Sequence, residues 1–109
     1  MKIVTEGSFD AAHLIKGHKG KCGQLHGHTW RYKIQVEGPV DTKTGMVLDF
    51  GDIDNIVAQL DHNDLNRVFP NPTAENIVAW IQRSVLALTP RKVYVTVTLW
   101  ESPRHYVEI

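Results

Sequence analysis

Three histidines and a cysteine in the first third of the chain carry the clearest chemical signal. His26 and His28 stand two residues apart, just before Trp30 and in phase with it. If the strand holding Trp30 begins early, both imidazoles leave one face about 6–7 Å apart along the chain. Two rings so placed can grip one tetrahedral ion, and His13, after an earlier strand, is the candidate third ligand. Three protein ligands leave one position open, the pattern of a catalytic zinc rather than a structural one. Neutral imidazole suits zinc without excluding nickel or copper. The plain alternative is that His-x-His is ordinary polar surface; His13 and the nearby Cys22 weigh toward metal.

Cys22 lies four residues before His26. A lone cysteine is most often a buried hydrophobe, but this one sits in a glycine- and lysine-rich loop, where positive charge favours thiolate. Beside a metal it could serve as fourth ligand, nucleophile or general base, and spacing does not choose among these. Asp61-His62 has the form of a proton relay, an imidazole oriented by a carboxylate; the competing reading is a polar loop after a helix. Glu101 shares parity with Val93, Val95, Val97 and Leu99. A carboxylate continuing an apolar face must find donors or give up its charge. The N–H edge of a purine- or pterin-like ring would satisfy it bidentately, and the bland alternative is a strand end that twists into solvent. Lys16, Lys19 and Lys21 form a basic loop that is either solvated charge or a grip for phosphate.

The elements that must position these groups follow from periodicity. Lys2 to Phe9 reads as a first strand, and Trp30, Tyr32, Ile34 and Val36 alternate with polar residues in a second. Ile53, Ile56, Val57 and Leu60 fall at i, i+3, i+4 and i+7, so a short amphipathic helix begins near Asp52, capped by Asp49 or Asp52. Asn71-Pro72-Thr73 opens a second helix, with Thr73 as N-cap, Glu75 in the first turn, and a buried stripe of Ile77, Ile81, Val85 and Leu88. Thr89-Pro90 ends it. A third strand is expected from Arg91 to about Glu101 and a last one from His105 to Ile109. The order β-β-α-α-β-β implies an α+β layer, mostly antiparallel sheet with both helices on one face.

The 109 residues fit one domain, 1–109, whose core alone would be marginal, so a metal or neighbouring subunits would add stability. Twelve basic residues balance twelve acidic ones, which argues against nucleic acid as the main partner. The single cysteine excludes an internal disulfide and points to a reducing, cytoplasmic setting. No apolar run reaches membrane-spanning length, and the amino terminus lacks a signal-peptide pattern.

Taken together, Phe9-Asp10-Ala11-Ala12-His13, Cys22-Gly23-Gln24-Leu25-His26-Gly27-His28, Asp49-Phe50, Leu60-Asp61-His62-Asn63, Pro72-Thr73-Ala74-Glu75-Asn76 and Trp100-Glu101 resemble the 6-pyruvoyl-tetrahydropterin synthase family. The resemblance is strongest to its 6-carboxytetrahydropterin synthase branch, because the Cys-x-x-x-His-Gly-His spacing is shorter than in pyruvoyl-forming members. It implies zinc on His13, His26 and His28, catalysis by Cys22, Asp61 and His62, and a pterin anchored by Glu101, with Thr73 and Glu75 at the pocket. The implied substrate is 7,8-dihydroneopterin triphosphate, and the implied products are 6-carboxy-5,6,7,8-tetrahydropterin, acetaldehyde and triphosphate, on a queuosine-type route. The alternatives are pyruvoyl formation from the same substrate and a non-catalytic zinc- or pterin-binding module. The implied fold is the tunnelling fold, trimeric barrels stacked as a homohexamer with active sites between subunits. Two departures are a slightly longer loop at Gly17 to Cys22 and Asp54 where many members carry lysine.

Overall fold

The computed structural model describes all 109 residues. Five strands form one sheet: β1 Lys2–His13, β2 His26–Glu37, β3 Asn63–Asp64, β4 Tyr94–Trp100 and β5 Tyr106–Glu108. Their order is β3-β1-β2-β4-β5; β3 runs parallel to β1, and every other pairing is antiparallel. Helices α1 Phe50–Ala58 and α2 Ala74–Leu86 complete an α+β fold.

β1 extends to His13, four residues past the expected Phe9. Pairing is the reason: β1 and β2 match continuously from Lys2↔Glu37 to His13↔His26, and this ladder overrides the weak strand preference of Ala11 and Ala12. β2 correspondingly starts at His26, ahead of its apolar run. The two long strands thus deliver His13 and His26 as direct cross-strand neighbours, with small Ala11 opposite His28.

The apolar parity of the strands meets the helices. Phe9, Trp30, Ile34, Val36, Val97 and Leu99 pack with Ile53, Val57, Ile77 and Ile81 in one core cluster. Each such side chain contributes about 1.5–3 kcal/mol when fully buried. Asp49 caps α1 by accepting from the Gly51 N–H, so the helix begins at Phe50, two residues before the position expected from periodicity. Thr73 caps α2 through Asn76 N–H. Leu88, expected in the buried stripe, lies past the helix end and is exposed, while Val78 is buried on α2 instead.

Two further boundaries differ from the periodic reading. β4 begins at Tyr94, where its pairing with Glu37 at the end of β2 starts, and the preceding Arg91 guanidinium instead donates to the carbonyls of Pro39 at 2.6 Å and Val47 at 2.5 Å. β3 is an element that a β-β-α-α-β-β order lacks. Two residues carry no detectable periodicity, yet they pair Asn63 and Asp64 with Ala11 and Ala12. No helix is long and apolar enough to cross a membrane.

Candidate metal centre and active site

The histidines occupy the end of the same sheet face that farther along holds the core. His13 is fully buried, whereas His26 and His28 are partly covered. Trp30 is the packing wedge: its ring lies 5.1 Å from that of His13 and 5.4 Å from that of His28, both edge-on, and its indole N–H donates to Ala11 O at 3.3 Å. One ligand atom from each of His13, His26, His28 and Glu101 falls within 4.8 Å of every other.

Backbone carbonyls settle which nitrogens face inward. His13 Nδ1 lies 2.7 Å from Pro72 O, and His26 Nδ1 lies 2.7 Å from Gln24 O. A carbonyl only accepts, so each Nδ1 carries the proton and each Nε2 of the neutral ring presents a lone pair. His13 Nε2 and His28 Nε2 are buried and have no hydrogen-bond partner. Glu101 Oε1 nevertheless sits 3.3 Å from the first and 3.2 Å from the second. The His13 lone pair facing a carboxylate oxygen in a partly dry site is repelled unless a cation lies between them. Burial pushes the His28 imidazole below the usual range, opposed by Glu101 and reinforced by the neighbouring His13 and His26. The donor set therefore fits a divalent ion with nitrogen and oxygen preference, such as zinc.

Asp61 and His62 form a second, exposed constellation at the edge of the sheet. Asp61 Oδ1 accepts the Asp10 backbone N–H at 3.0 Å, and His62 N–H donates to Asp10 O at 2.6 Å. His62 Nδ1 lies 3.0 Å from Asp61 Oδ2, which leaves Nε2 free to exchange protons. The Asp10 N–H, then the His62 ring, hold the Asp61 carboxyl below the usual range. The hydrogen bond to Asp61, then its charge, raise the His62 imidazole. His62 also has φ of 56°, a left-handed conformation uncommon outside glycine, and residues held so gather at functional sites.

His62 and His28 line the same open pocket of about 580 Å³, with Asp10, Thr29 and Asn63 among its walls. A second pocket of about 460 Å³ brings His28 and Glu101 together with Arg31, Trp100 and Ser102. Arg31 lies over the Trp100 ring at 4.1 Å, giving that pocket an aromatic and cationic wall.

The other sequence candidates stand apart within the single chain. Cys22 occupies a short 3-10 turn, partly buried, and does not join the four converging ligand atoms. Its carbonyl accepts Ile15 N–H at 2.7 Å, which closes the lysine-rich loop. Thr73 Oγ1 is engaged as the α2 cap, Glu75 is exposed in the first turn, and neither lines the two pockets that His28 shares. Sequence reasoning missed the carbonyls of Pro72 and Gln24, which orient two imidazoles and carry no side-chain signature. It also missed Asn66, whose amide accepts from Leu14 N–H and donates to Leu14 O just beyond His13. Trp30 is legible in the sequence only as a core residue sharing the parity of His28.

Comparison with known proteins places the chain in a family. A protein of Pyrococcus furiosus named dihydroneopterin monophosphate aldolase is 38% identical over 99% of the chain and 96% of its own length. A putative 6-carboxy-5,6,7,8-tetrahydropterin synthase of Archaeoglobus fulgidus is 46% identical over 71% of the chain and 69% of its own length. The structure of Caenorhabditis elegans 6-pyruvoyl tetrahydropterin synthase superposes over the whole chain with a TM-score of 0.77 at 23% identity, which establishes the shared tunnelling fold. Residues 2–109 match the 6-pyruvoyl tetrahydropterin synthase family, and the chain belongs to it.

Proposed function

We propose that the protein is a zinc-dependent carbon–carbon lyase that shortens the three-carbon side chain of a phosphorylated 7,8-dihydroneopterin. The observation that carries this reading is the convergence of three imidazoles and Glu101, with two orphaned inward nitrogens, beside a pocket shared with His62. When bound, the metal supplies Lewis-acid polarisation of side-chain oxygens. Glu101 anchors the amino-pyrimidine edge of the ring and so fixes its orientation. Cys22, as thiolate, removes a side-chain proton. His62, oriented through Nδ1 by Asp61, moves protons at Nε2. Thr73 and Glu75, which line neither His28 pocket within one chain, complete the pterin pocket from a neighbouring chain, and Lys16, Lys19 and Lys21 hold the phosphates.

Exposure of the Asp61–His62 pair and the separation of Cys22 from the ligand cluster support an assembly in which neighbouring chains complete one another's sites. Trimeric barrels stacked as a homohexamer meet that need, and a cytoplasmic setting keeps Cys22 reduced.

Within this class, the first reading is 6-carboxytetrahydropterin synthase, taking the triphosphate and releasing acetaldehyde and triphosphate, for 7-deazapurine synthesis of the queuosine type. The Cys-x-x-x-His-Gly-His spacing and the name of the Archaeoglobus relative support it. The second is aldol cleavage of a dihydroneopterin phosphate. It is supported by the name of the Pyrococcus relative, which is 38% identical over nearly the full length of both chains. In that reaction the bond between the first two side-chain carbons breaks, leaving a hydroxymethyl pterin and glycolaldehyde phosphate. Both readings share a retro-aldol step, which the same base and relay can serve.

The test is to incubate zinc-loaded protein separately with the triphosphate and the monophosphate and identify products by mass. Acetaldehyde with a carboxypterin supports the first reading; a hydroxymethyl pterin supports the second. A pyruvoyl product with no carbon lost would move the protein to the pyruvoyl-forming branch. Pterin binding without conversion of either substrate would sink the enzymatic reading in favour of a binding module.

A further inference from the structure

The position of Glu101 carries an inference beyond anchoring. In a tetrahedral site with ligand bonds of about 2.0–2.1 Å, neighbouring donor atoms stand about 3.3–3.4 Å apart. Glu101 Oε1 stands 3.3 Å from His13 Nε2 and 3.2 Å from His28 Nε2, which are the lengths of two such edges. A carboxylate that only waited for a pterin edge would have no reason to turn its oxygen onto the unprotonated His13 nitrogen and a second, unpartnered imidazole nitrogen. It would face solvent or a hydrogen-bond donor instead. The Glu101 side chain is about one-third exposed, so solvent was available to it.

Glu101 is the first residue after β4, and the turn that follows is held by Glu101 N–H to His105 O at 3.0 Å and by Ser102 Oγ, which accepts the N–H groups of Arg104 at 3.3 Å and His105 at 3.2 Å. Its carboxylate lines the pocket formed with Arg31, Trp100 and Ser102 while its Oε1 reaches the histidines. The same oxygen cannot serve the metal and the two-point grip on a pterin at once.

The geometry points to a dual role for Glu101: in the resting protein it is the fourth metal ligand, closing a shell of three imidazoles and one carboxylate. A pterin edge competes the carboxylate away and so opens the position that the side-chain oxygens need. This rests on the pterin reading for its second half only. Ring recognition then gates access to the metal, and small oxygen ligands lacking the ring meet a closed shell. The role belongs to this chain's own residue and is separable from turnover.

Cobalt(II) provides the readout. Wild-type protein loaded with cobalt should show the intense visible bands of a four-coordinate site, with competition against a chromophoric chelator giving its affinity. Glu101→Gln, of nearly equal size, should change the bands and weaken binding at least about tenfold. Glu101→Ala should do the same, and added acetate should restore the wild-type spectrum. A 6-unsubstituted pterin, which has the N–H edge but no side-chain hydroxyls, should alter the wild-type bands and leave those of Glu101→Gln unchanged. Identical spectra and affinities for wild type and both variants would overturn the ligand role while leaving the pterin reading intact. A ligand role confirmed by the variants, with wild-type bands indifferent to the pterin, would overturn the gating and count against the anchor assignment. Circular dichroism of each variant, together with the acetate rescue, separates ligand loss from misfolding.

Discussion

The protein places two histidine–carboxylate groupings on one sheet and treats them in opposite ways. His13, His26, His28 and Glu101 are drawn together at the covered end of β1 and β2, with Trp30 packed against two of the rings. Asp61 and His62 lie at the edge, with the His62 side chain 82% exposed, its ring held by Asp61 and the pair tied to the Asp10 backbone. Both groups are tied to partners distant in sequence, the Pro72 carbonyl being 59 residues from His13 and the Asp10 N–H 51 residues from Asp61. What differs is burial: His13 is fully covered, whereas the Asp61–His62 pair faces solvent. A metal needs several donors fixed in one geometry before it arrives. A proton relay needs access to the reacting group and freedom to exchange. One chain can therefore finish its metal centre alone while leaving its relay open.

The strongest way to break this contrast is at the metal centre. His28→Ala removes a donor whose nitrogen is already buried and unpartnered, so stoichiometric zinc should fall below detection in a dialysed sample and turnover should vanish. Retention of one tightly held zinc per chain would show that the cluster is not the site.

Cys22→Ala should retain zinc and lose about 10²–10⁴ in kcat, the usual range for a general base. Loss of the metal in that variant would move Cys22 into the ligand set. Measured side by side, zinc content and kcat separate the two groupings.

Asp61→Asn should have a smaller but directional effect. Because Asp61 raises the His62 imidazole, the protonated ring persists to higher pH than usual, and a step that needs neutral His62 weakens as pH falls through that raised value. Removing the carboxylate should move this acidic limb to lower pH. The ring's proton shifts followed by NMR against pH provide the check, and an unmoved titration would deny the coupling. For stability, the raised imidazole contributes fully below its unfolded pKa and loses that contribution as pH rises through the folded value. The lowered Asp61 contributes above its unfolded pKa and loses its part as pH falls through the folded value. Both groups are exposed, so solvent keeps these contributions small.

The smallest effect should come from Thr73→Ala, which deletes the α2 cap while leaving every ligand in place. About 1 kcal/mol of stability should be lost, or about 4–8 °C in Tm for a domain of this size. Because Pro72 immediately precedes the cap and supports His13, a modest fall in zinc affinity should accompany it. An unchanged Tm would mean the Thr73 hydroxyl is dispensable for the start of α2.

Much of the architecture is legible in the sequence because it rests on repeating patterns. The alternation from Trp30 to Val36 marks β2, and the spacing of Ile53, Ile56 and Val57 marks α1. What escapes is set by partners distant in sequence. β3 has two residues and exists because β1 offers it an edge. β1 reaches His13 only because β2 pairs with it to the end. Arg91 belongs to a strand by pattern, and its inward turn toward Pro39 and Val47 depends on a loop whose path no periodicity reveals. At the site, the side-chain candidates can be named from type and spacing, but the Pro72 and Gln24 carbonyls cannot, since every residue has one.

Residue order alone settled which side chains have the chemistry to hold a metal and move protons, and which faces of the strands and helices are apolar. Those are properties of side-chain type and of local period, and they need no knowledge of distant contacts. The fold alone settled that His13 faces His26 across a ladder, that Nε2 rather than Nδ1 points inward, and that Glu101 reaches the same point. Such facts depend on register, tautomer and closure between segments up to 88 residues apart. Only folding brings those partners within hydrogen-bonding range.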